Sequence, residues 1–296
     1  MDKIILITGG TGLLGSALIR NYPNKYDVIA TTSDTPHSAN NKIIKMDITK
    51  LIEVKQVFDK YNPDIVIHTA SIGNVDYCEK NQDQAYQVNV IGTRNIISNC
   101  KKHGSKLLFM SSNAVFDGRN PPYNEKDKPN PLNYYGKTKL MSEIDVQESG
   151  IEYAIIRLIL MYGWNNPQER KNPVTWLIDL LRMNKKVKLV NDTYANPLLN
   201  IQAVRAIWNV IQLNEKGIFH VAGKERVNRY EFGLHVADAF GLNKNLIDQV
   251  DSDYFRGLAP RMPDTTYDTT KMVKKLRVKP LSVKNGLRWM RENNRE

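Results

Sequence analysis

The sequence has little cysteine, no long apolar stretch and a shortage of acidic residues, and the first two shortages each exclude a class of protein. Only two cysteines, Cys78 and Cys100, occur among 296 residues. They fit reduced thiols better than a disulfide framework, and they lack metal-ligand spacing, so no metal site is expected. No apolar run approaches the roughly 20 residues of a membrane-spanning helix. The start of the chain has no signal-peptide layout, and we therefore expect a cytoplasmic protein.

Acidic residues are outnumbered, with 31 Asp and Glu against 42 Lys and Arg, so the formal net charge is +11. The basic residues are scattered, with some enrichment between Lys271 and Arg295. No nucleic-acid-binding motif accompanies them, so nucleic acid is not the expected partner. The charge favours capture of an anionic small molecule, such as one that carries a diphosphate.

The sequence does contain a glycine-rich loop near its start. Lys3–Thr8 is a short apolar run, and a helical pattern follows the loop as far as Asn21. The spacing Gly9-x-x-Gly12-x-x-Gly15 differs from the commoner G-x-G-x-x-G. Its position between a strand and a helix still predicts a dinucleotide site, because glycines admit a pyrophosphate and the helix N-terminus supplies N–H groups. A plain glycine turn is the alternative.

Strand patterns alternate with helix patterns through the first half of the chain. The predicted strands are Lys3–Thr8, Tyr26–Thr32, Ile43–Met46, Asp64–Thr69, Lys106–Ser112 and Ile151–Leu158. This alternation predicts an α/β fold with a Rossmann-type doubly wound parallel sheet. We expect residues 1–160 to form an NAD(P)-binding domain and 161–296 a smaller α/β substrate-binding lobe. Elements near 198–222 are expected to pack back onto the first domain.

The end of the second strand bears on the choice of cofactor. An acidic residue at its tip favours NAD and an arginine favours NADP. Here the strand ends at Thr31-Thr32, and the nearest acid, Asp34, comes late. Hydroxyl groups at this point can bind a 2′-phosphate, with His37 or Lys42 nearby, so NADP(H) is favoured and NAD(H) remains an alternative.

The ends of the third and fourth strands add further candidates. Asp47 and Ile48 are suited to the adenine edge, although Asp47 can equally belong to a helix N-cap region. Ala70 and Ser71 are small enough to let a dinucleotide pass. The full set of candidate cofactor-binding residues is Gly9, Thr11, Gly12, Leu13, Leu14, Gly15, Thr31, Thr32, Asp47, Ile48, Ala70, Ser71, Asn89, Tyr135 and Lys139.

Tyr135 and Lys139 are the candidate proton-transfer pair. They stand four residues apart, so a helix places them on one face. A neighbouring ammonium lowers a phenol pKa from its usual value of about 10. Ser112 ends the fifth strand, where ligands bind in such sheets, although a turn serine is the alternative. The three predict a hydride-transfer site in which Ser112 orients a carbonyl, Tyr135 protonates it, and Lys139 lowers the tyrosine pKa and holds the nicotinamide ribose.

Several longer stretches resemble the extended short-chain dehydrogenase/reductases, over essentially the whole chain. They are 8–15, 74–79, 88–93, 111–118, 120–123 and 131–140, with shorter matches in the second half. Within that family the chain is most similar to the dTDP-4-dehydrorhamnose reductase branch, which includes the regulatory beta subunit of methionine adenosyltransferase. The resemblance implies a Ser-Tyr-Lys catalytic set. It also implies reduction of the 4-keto group of a nucleotide-activated 4-keto-6-deoxy sugar, as in dTDP-rhamnose and polysaccharide biosynthesis.

The sequence departs from that branch directly after Ser112. Asn113 and Ala114 replace the Asp-Tyr pair that lines the sugar site there, and the candidate substrate-binding residues are Asn113, Ala114, Trp164 and Asn196. The fucose-synthase-like epimerase/reductases carry a cysteine acid/base where Ala114 stands. A nucleotide-sugar epimerase and a non-catalytic NADP-binding regulatory subunit remain alternatives.

The expected partner is a nucleotide-diphosphate sugar, with no nucleic acid and no membrane. Arg157 and Arg261 are the candidates for holding the diphosphate, and an ion pair at the junction of the two parts is the alternative role for Arg157. A homodimer remains open.

Overall fold

A computed structural model describes residues 2–34, 43–165, 170–255 and 257–293. The strands within these ranges are β1 Lys3–Thr8, β2 Tyr26–Thr32, β3 Ile43–Lys45, β4 Ile65–His68, β5 Lys106–Ser112, β6 Tyr153–Leu158, β7 Met161–Tyr162, β8 Val187–Val190, β9 Tyr194–Ala195, β10 Leu198–Leu199, β11 Gly217–Val221, β12 Val227–Asn228 and β13 Ile247–Val250.

The α-helices of the same ranges lie mostly between consecutive strands. They are α1 Leu13–Arg20, α2 Leu51–Tyr61, α3 Val75–Lys80, α4 Gln82–Tyr86, α5 Gly92–His103, α6 Tyr134–Glu148, α7 Pro173–Arg182, α8 Asn200–Gln212, α9 Arg229–Ala239, α10 Thr270–Leu276 and α11 Val283–Glu292. Short 3-10 turns and one π-helical segment, Gln87–Ile91, complete the secondary structure.

Seven strands form one parallel sheet in the order β11-β6-β5-β4-β1-β2-β3. The chain winds outward from β1 to β3, returns to β4 beside β1, and then winds outward on the other side. The predicted Rossmann-type doubly wound α/β fold is therefore confirmed. A crevice forms at the carboxyl ends of strands where the winding reverses, which is between β1 and β4.

The two faces of the sheet are both buried, because helices cover each of them. Ile5 and Ile7 of β1 belong to a core cluster that includes residues of α1 and α8. Leu6 points to the opposite face and joins a second cluster with residues of α2 and α5. Successive strand residues thus support opposite layers, and the sheet is held rigidly enough to fix the loops at its ends.

The second half of the chain contributes both to this sheet and to a separate core. β11 pairs with β6 at the edge of the sheet, and α8 contacts α1. A third apolar cluster joins α7, α9 and α11. The boundary near residue 160 stays a prediction. None of the helices in the described ranges is both long and apolar enough to cross a membrane.

The sequence from about Asp83 to His103 has the pattern of one long helix, and the structure interrupts it. It consists of α4, the π-helical segment and α5. Asn89 lies in the π-helical segment and turns its amide inward, where it accepts from the Ile72 N–H at 2.8 Å and donates to the Thr138 hydroxyl at 3.1 Å. The helix α3 was not predicted from the sequence.

Candidate active site

A cleft of about 1240 Å³ lies at the carboxyl ends of the parallel strands. The glycine loop forms one wall, and Ser112, Tyr135 and Lys139 line the same space. Cationic residues of the second half of the chain complete the lining, among them Arg229 and Arg261. The cleft therefore joins the predicted cofactor loop, the predicted catalytic set and a positive wall.

The glycine loop fits a dinucleotide because each glycine has a different steric reason to be there. Gly9 adopts φ of +71°, which favours glycine. A Cβ on Gly15 would lie 2.1 Å from the Gly9 carbonyl oxygen, so the loop and α1 pack without room for a side chain. A Cβ on Gly12 would meet only the Gly9 oxygen, at 3.6 Å, and would occupy the cleft itself. The space beside Gly12 is thus open to a ligand.

The N-terminus of α1 can receive an anion. Gly12 is its N-cap, no side chain caps it, and its first turn holds no acidic residue. The amide groups of that turn therefore keep both their hydrogen-bonding capacity and the partial positive charge of a helix N-terminus. Leu13 and Leu14 begin the helix and line the cleft with Thr11.

The end of β2 lies beside this loop. Thr32 lines the cleft with Arg20 and Asp34, and its hydroxyl is 3.2 Å from the Thr11 hydroxyl. Thr31 is buried, and its carbonyl accepts from the Gly10 N–H at 2.7 Å, so it shapes the loop from behind. His37 and Lys42, the other candidates for a 2′-phosphate, lie outside the described residues.

Of the remaining cofactor candidates, only Ser71 lines the cleft. Asp47 accepts from the Thr49 N–H at 2.9 Å and so caps the turn that precedes α2, whose N-cap is Lys50. Ile48 and Asn89 are buried, and the Ala70 N–H donates to the Thr8 hydroxyl. Asp47, Ile48, Ala70 and Asn89 therefore support the walls of the cleft, and their contact with a cofactor stays a prediction.

Ser112 and Tyr135 are brought together by close packing of α6 on the end of β5. A Cβ on Gly136 would lie 2.1 Å from the Ala114 carbonyl oxygen, so only glycine allows this approach. The N-cap Asn133 accepts from the Gly136 N–H at 2.9 Å and fixes the first turn of α6. Ser112 accepts from the Ala114 N–H at 3.2 Å. Its hydroxyl and the Tyr135 phenol thus reach one point of the cleft.

The pKa values differ from the sequence-based expectation. Burial raises the pKa of Tyr135 to about 12, and a hydrogen bond with Ser112 opposes the rise. Burial also lowers the pKa of Lys139 to about 8, against the opposing effect of Glu143. The expected lowering of the tyrosine pKa by Lys139 is wrong for this structure, because burial dominates and the ammonium donates to the Met110 carbonyl at 2.9 Å. Tyr135 consequently keeps its proton at neutral pH, as an acid requires.

The four candidate substrate residues do not line the cleft. Asn113 and Ala114 follow Ser112 directly, and Ala114 is buried. Trp164 donates its indole N–H to the Met290 carbonyl at 2.7 Å. Asn196 is buried, and its amide bonds to backbone groups of neighbouring loops. Their contact with a substrate stays a prediction.

Arg229 and Arg261 are two of the cationic residues that line the cleft. Arg229 begins α9, and burial together with the nearby Arg261 charge lowers its pKa to about 10. Its Nη1 is buried and has no hydrogen-bond partner among the residues described. Arg261 donates to the Asp76 carboxylate at 2.8 Å. Sequence reasoning missed Arg229 as a site residue, although the excess of positive charge gave a signal.

Arg157 is not part of this wall. It is buried in the core, where its Nη2 lies 2.7 Å from a Glu143 carboxylate oxygen. Its assignment to the diphosphate is therefore wrong. The alternative of an ion pair is correct, but the pair lies within residues 1–160 and not across the junction of the two parts. Across the described ranges, no group of three or more His, Cys, Asp or Glu is placed to hold a metal ion.

Comparisons with known proteins agree with this geometry. A family model described as RmlD substrate binding domain matches residues 2–295. The structure of dTDP-4-dehydrorhamnose reductase from Bacillus anthracis str. Ames in complex with NADP has a TM-score of 0.90 at 27% identity, covering 99% of this chain and 100% of that one.

Two similar proteins of known sequence have names that describe different roles. Methionine adenosyltransferase 2 subunit beta of Bos taurus is 31% identical over 81% of this chain and 73% of its own length. Spore coat polysaccharide biosynthesis protein SpsK of Bacillus subtilis (strain 168) is 28% identical over 84% of each chain. The chain is thus similar both to a sugar reductase structure and to a subunit of another enzyme.

Proposed function

The chain belongs to the RmlD substrate binding domain family, and on that premise we propose that it is an NAD(P)H-dependent reductase. Its substrate is the 4-keto group of a nucleotide-activated 4-keto-6-deoxy sugar. The observation that carries the proposal is that Ser112, Tyr135 and Lys139 line one cleft with the glycine loop. The similar reductase structure contains NADP, which supports a nicotinamide cofactor.

Ser112, Tyr135 and Lys139 each have a separate role in the proposed reduction. Reduced nicotinamide, when bound, supplies a hydride to the carbonyl carbon and is oxidised. The Ser112 hydroxyl donates to the carbonyl oxygen and orients it. The O–H bond of Tyr135 breaks as its proton passes to that oxygen, so the ketone becomes an alcohol and the phenol becomes a phenolate. The Lys139 ammonium would stabilise this phenolate and would hold the ribose hydroxyls of a bound cofactor.

The cofactor pyrophosphate belongs at the Gly12 face of the loop. Its charge is met there by the uncapped N-terminus of α1. NADP(H) is favoured over NAD(H), because Thr32 at the end of β2 and Arg20 at the end of α1 line the cleft, and the nearest acid, Asp34, comes after the strand.

The substrate diphosphate belongs at Arg229 and Arg261. Two neighbouring guanidinium groups repel each other, and the Asp76 carboxylate offsets only part of their charge. A bound diphosphate satisfies the unpaired Nη1 of Arg229 with charge-assisted hydrogen bonds. This assignment uses the positive charge that the composition showed.

Oxidation of NADPH and NADH in the presence of dTDP-, UDP- and GDP-linked 4-keto-6-deoxy sugars tests the proposal. We expect turnover with at least one of these sugars and little with the nucleotides alone. Absence of turnover with every sugar and both cofactors would contradict it.

An epimerase that works through a cysteine acid/base at the Ala114 position is disfavoured. The alanine side chain there is buried and cannot exchange a proton.

A binding subunit is the second candidate, and the 31% identity to Methionine adenosyltransferase 2 subunit beta favours it. Co-purification of the chain with a methionine adenosyltransferase from the same cell, compared with the Tyr135→Phe variant, tests it. A stable complex combined with no sugar reduction would replace the reductase proposal.

A further inference from the structure

A second polar cluster lies beneath the cleft, and the reduction steps do not use it. Glu143 and Arg157 are 0% and 2% exposed. The Glu143 carboxylate accepts from Nη2 of Arg157 at 2.7 Å and from Nε at 2.9 Å, and it also accepts from the Ser111 hydroxyl. Replacing a buried ion pair by apolar groups often leaves stability unchanged or raised. The pair therefore calls for a role other than stabilising the fold.

The cluster joins the three elements that surround the catalytic residues. Ser111 precedes Ser112 on β5, and the parallel register places it opposite Arg157 of β6. Glu143 follows Lys139 by four residues on α6, which is one helical turn. The carboxylate thus fixes the end of β5 and the middle of α6 relative to each other.

The far side of Arg157 is also held in place. Its Nη1 lies 3.3 Å from Nε2 of His220, whose Nδ1 lies 3.1 Å from the Tyr123 carbonyl oxygen. A carbonyl only accepts and a guanidinium only donates, so His220 carries its proton on Nδ1 and accepts from Arg157. Burial lowers the pKa of His220 to about 3, which keeps it neutral.

Glu143 is also the anionic neighbour of Lys139. The titratable groups that face Lys139 are Glu143 on its own helix, Cys78 of α3, Tyr135 and His68 of β4. Burial lowers the pKa of His68 to about 3 and raises that of Cys78 to about 11, so both are neutral at pH 7. Among these groups, Glu143 alone carries a full negative charge.

We propose that the Glu143–Arg157 pair positions the catalytic centre. It holds Ser112 through Ser111, and its carboxylate keeps the buried Lys139 ammonium charged at neutral pH. The catalytic consequence rests on the proposed reductase function, whereas the ionisation of Lys139 does not depend on it. Both residues act through others and are positioning residues.

Glu143→Gln and Arg157→Lys separate charge from geometry. Glu143→Gln keeps the shape of the side chain and removes its charge. Deprotonation of Lys139 lowers kcat/KM at alkaline pH, and we expect this alkaline fall to move to lower pH by about one unit in the variant. Arg157→Lys keeps the cation but loses the two-bond fork. We expect it to lower kcat without moving the alkaline fall, and Ser111→Ala to do the same more weakly.

The proposal is overturned if Glu143→Gln leaves the alkaline fall in place, or if kcat is unchanged in both Arg157→Lys and Ser111→Ala. If Glu143→Gln does not fold, Arg157→Gln provides the second test of charge. It leaves the Glu143 carboxylate uncompensated, so the fall moves to higher pH. No movement, or movement to lower pH, also overturns the proposal.

A measurement without cofactor or substrate distinguishes this failure from failure of the reductase proposal. Folding lowers the Lys139 pKa from 10.5 to about 8. At Lys139 the unfolded chain therefore binds more protons between these values, so the contribution of Lys139 to the free energy of unfolding, taken as the difference from Lys139→Met, rises with pH across them. In Glu143→Gln the rise begins at lower pH, and the further change Lys139→Met removes it. A shifted rise in a chain that reduces no sugar contradicts only the reductase, whereas an unshifted rise contradicts the role of Glu143.

Discussion

Tyr134 and Tyr135 are adjacent at the start of α6 but face different surroundings. Tyr135 lines the cleft together with Ser112, whereas Tyr134 does not line it. Successive residues of a helix are about 100° apart around its axis, so of these two tyrosines only Tyr135 presents its phenol to the cleft. This pair of neighbours provides a matched test of the acid.

We expect Tyr135→Phe to lower kcat by about 100- to 10,000-fold, because it removes the proton donor and leaves the aromatic ring. Tyr134→Phe is the control, and its kcat should stay near that of the unaltered chain. Steady-state oxidation of NADPH with the best sugar measures both, and a titration of NADPH fluorescence checks that the cofactor still binds. A Tyr135→Phe variant with most of its kcat retained would show that another group delivers the proton.

The pH profile should reflect Lys139 rather than Tyr135. The profile of kcat/KM reports ionisations of the free enzyme, in which Lys139 has a pKa of about 8 and Tyr135 of about 12. Because Lys139 must carry its proton to stabilise the phenolate, we expect kcat/KM to fall above about pH 8. Tyr135 stays protonated throughout that range. A fall that begins only near pH 10, the ordinary pKa of tyrosine, would contradict this assignment.

At the scale of elements, Gly12 and Gly15 have different roles where the glycine loop meets α1, and two substitutions can distinguish these roles. Gly12→Ala adds a methyl group to the cleft, so we expect unchanged thermal stability and a loss of NADPH affinity of about tenfold or more. Gly15→Ala forces a methyl group against the Gly9 carbonyl, so we expect a loss of stability of about 1–3 kcal/mol. Thermal unfolding and NADPH titration measure the two effects. Equal loss of stability in both variants would show that the Gly12 face is not open.

The elements that the sequence predicted best are those with a strong local pattern. β1, β2 and β5 begin and end at the predicted residues, because apolar periodicity and flanking turns define them locally. The break in the long helix was missed, since it depends on the inward turn of Asn89 toward Ile72 and Thr138. Such contacts between distant segments leave no periodic signal.

For the candidate site too, the sequence predicted some features and missed others. Spacing and strand order indicated Ser112, Tyr135 and Lys139 without any structure. The direction of the Tyr135 pKa shift was wrong, because burial in the fold outweighs a neighbouring charge. The Glu143–Arg157 pair was missed as a site feature, although α6 gives a hint of it. The inner face of this helix buries a run of polar residues, which are Thr138, Lys139, Ser142 and Glu143.

At the scale of the whole molecule, the cleft depends on contact between the two parts of the chain. The Asp76 carboxylate accepts from the Ala259 N–H at 3.0 Å and from Arg261 at 2.8 Å. Asn133, the N-cap of α6, donates to the Pro260 carbonyl at 3.0 Å. The segment that carries Arg261 is thus tied to the helix that carries Tyr135. The first part supplies the glycine loop to the lining of the cleft, and the second supplies Arg229 and Arg261.

This division predicts that a substitution of Arg229 weakens binding of the nucleotide sugar and leaves binding of NADPH unchanged. Loss of a charged hydrogen bond costs about 1.5–3 kcal/mol, so Arg229→Gln should raise the KM of the nucleotide sugar by about 10- to 100-fold. The KM of NADPH should stay unchanged, because the proposed pyrophosphate site is the glycine loop and not Arg229. Arg288→Gln is the control, since it removes the same charge from an exposed position on α11 outside the cleft. A rise in the KM of NADPH that matches the rise for the sugar would place Arg229 at the cofactor and would contradict a diphosphate site in the second part of the chain.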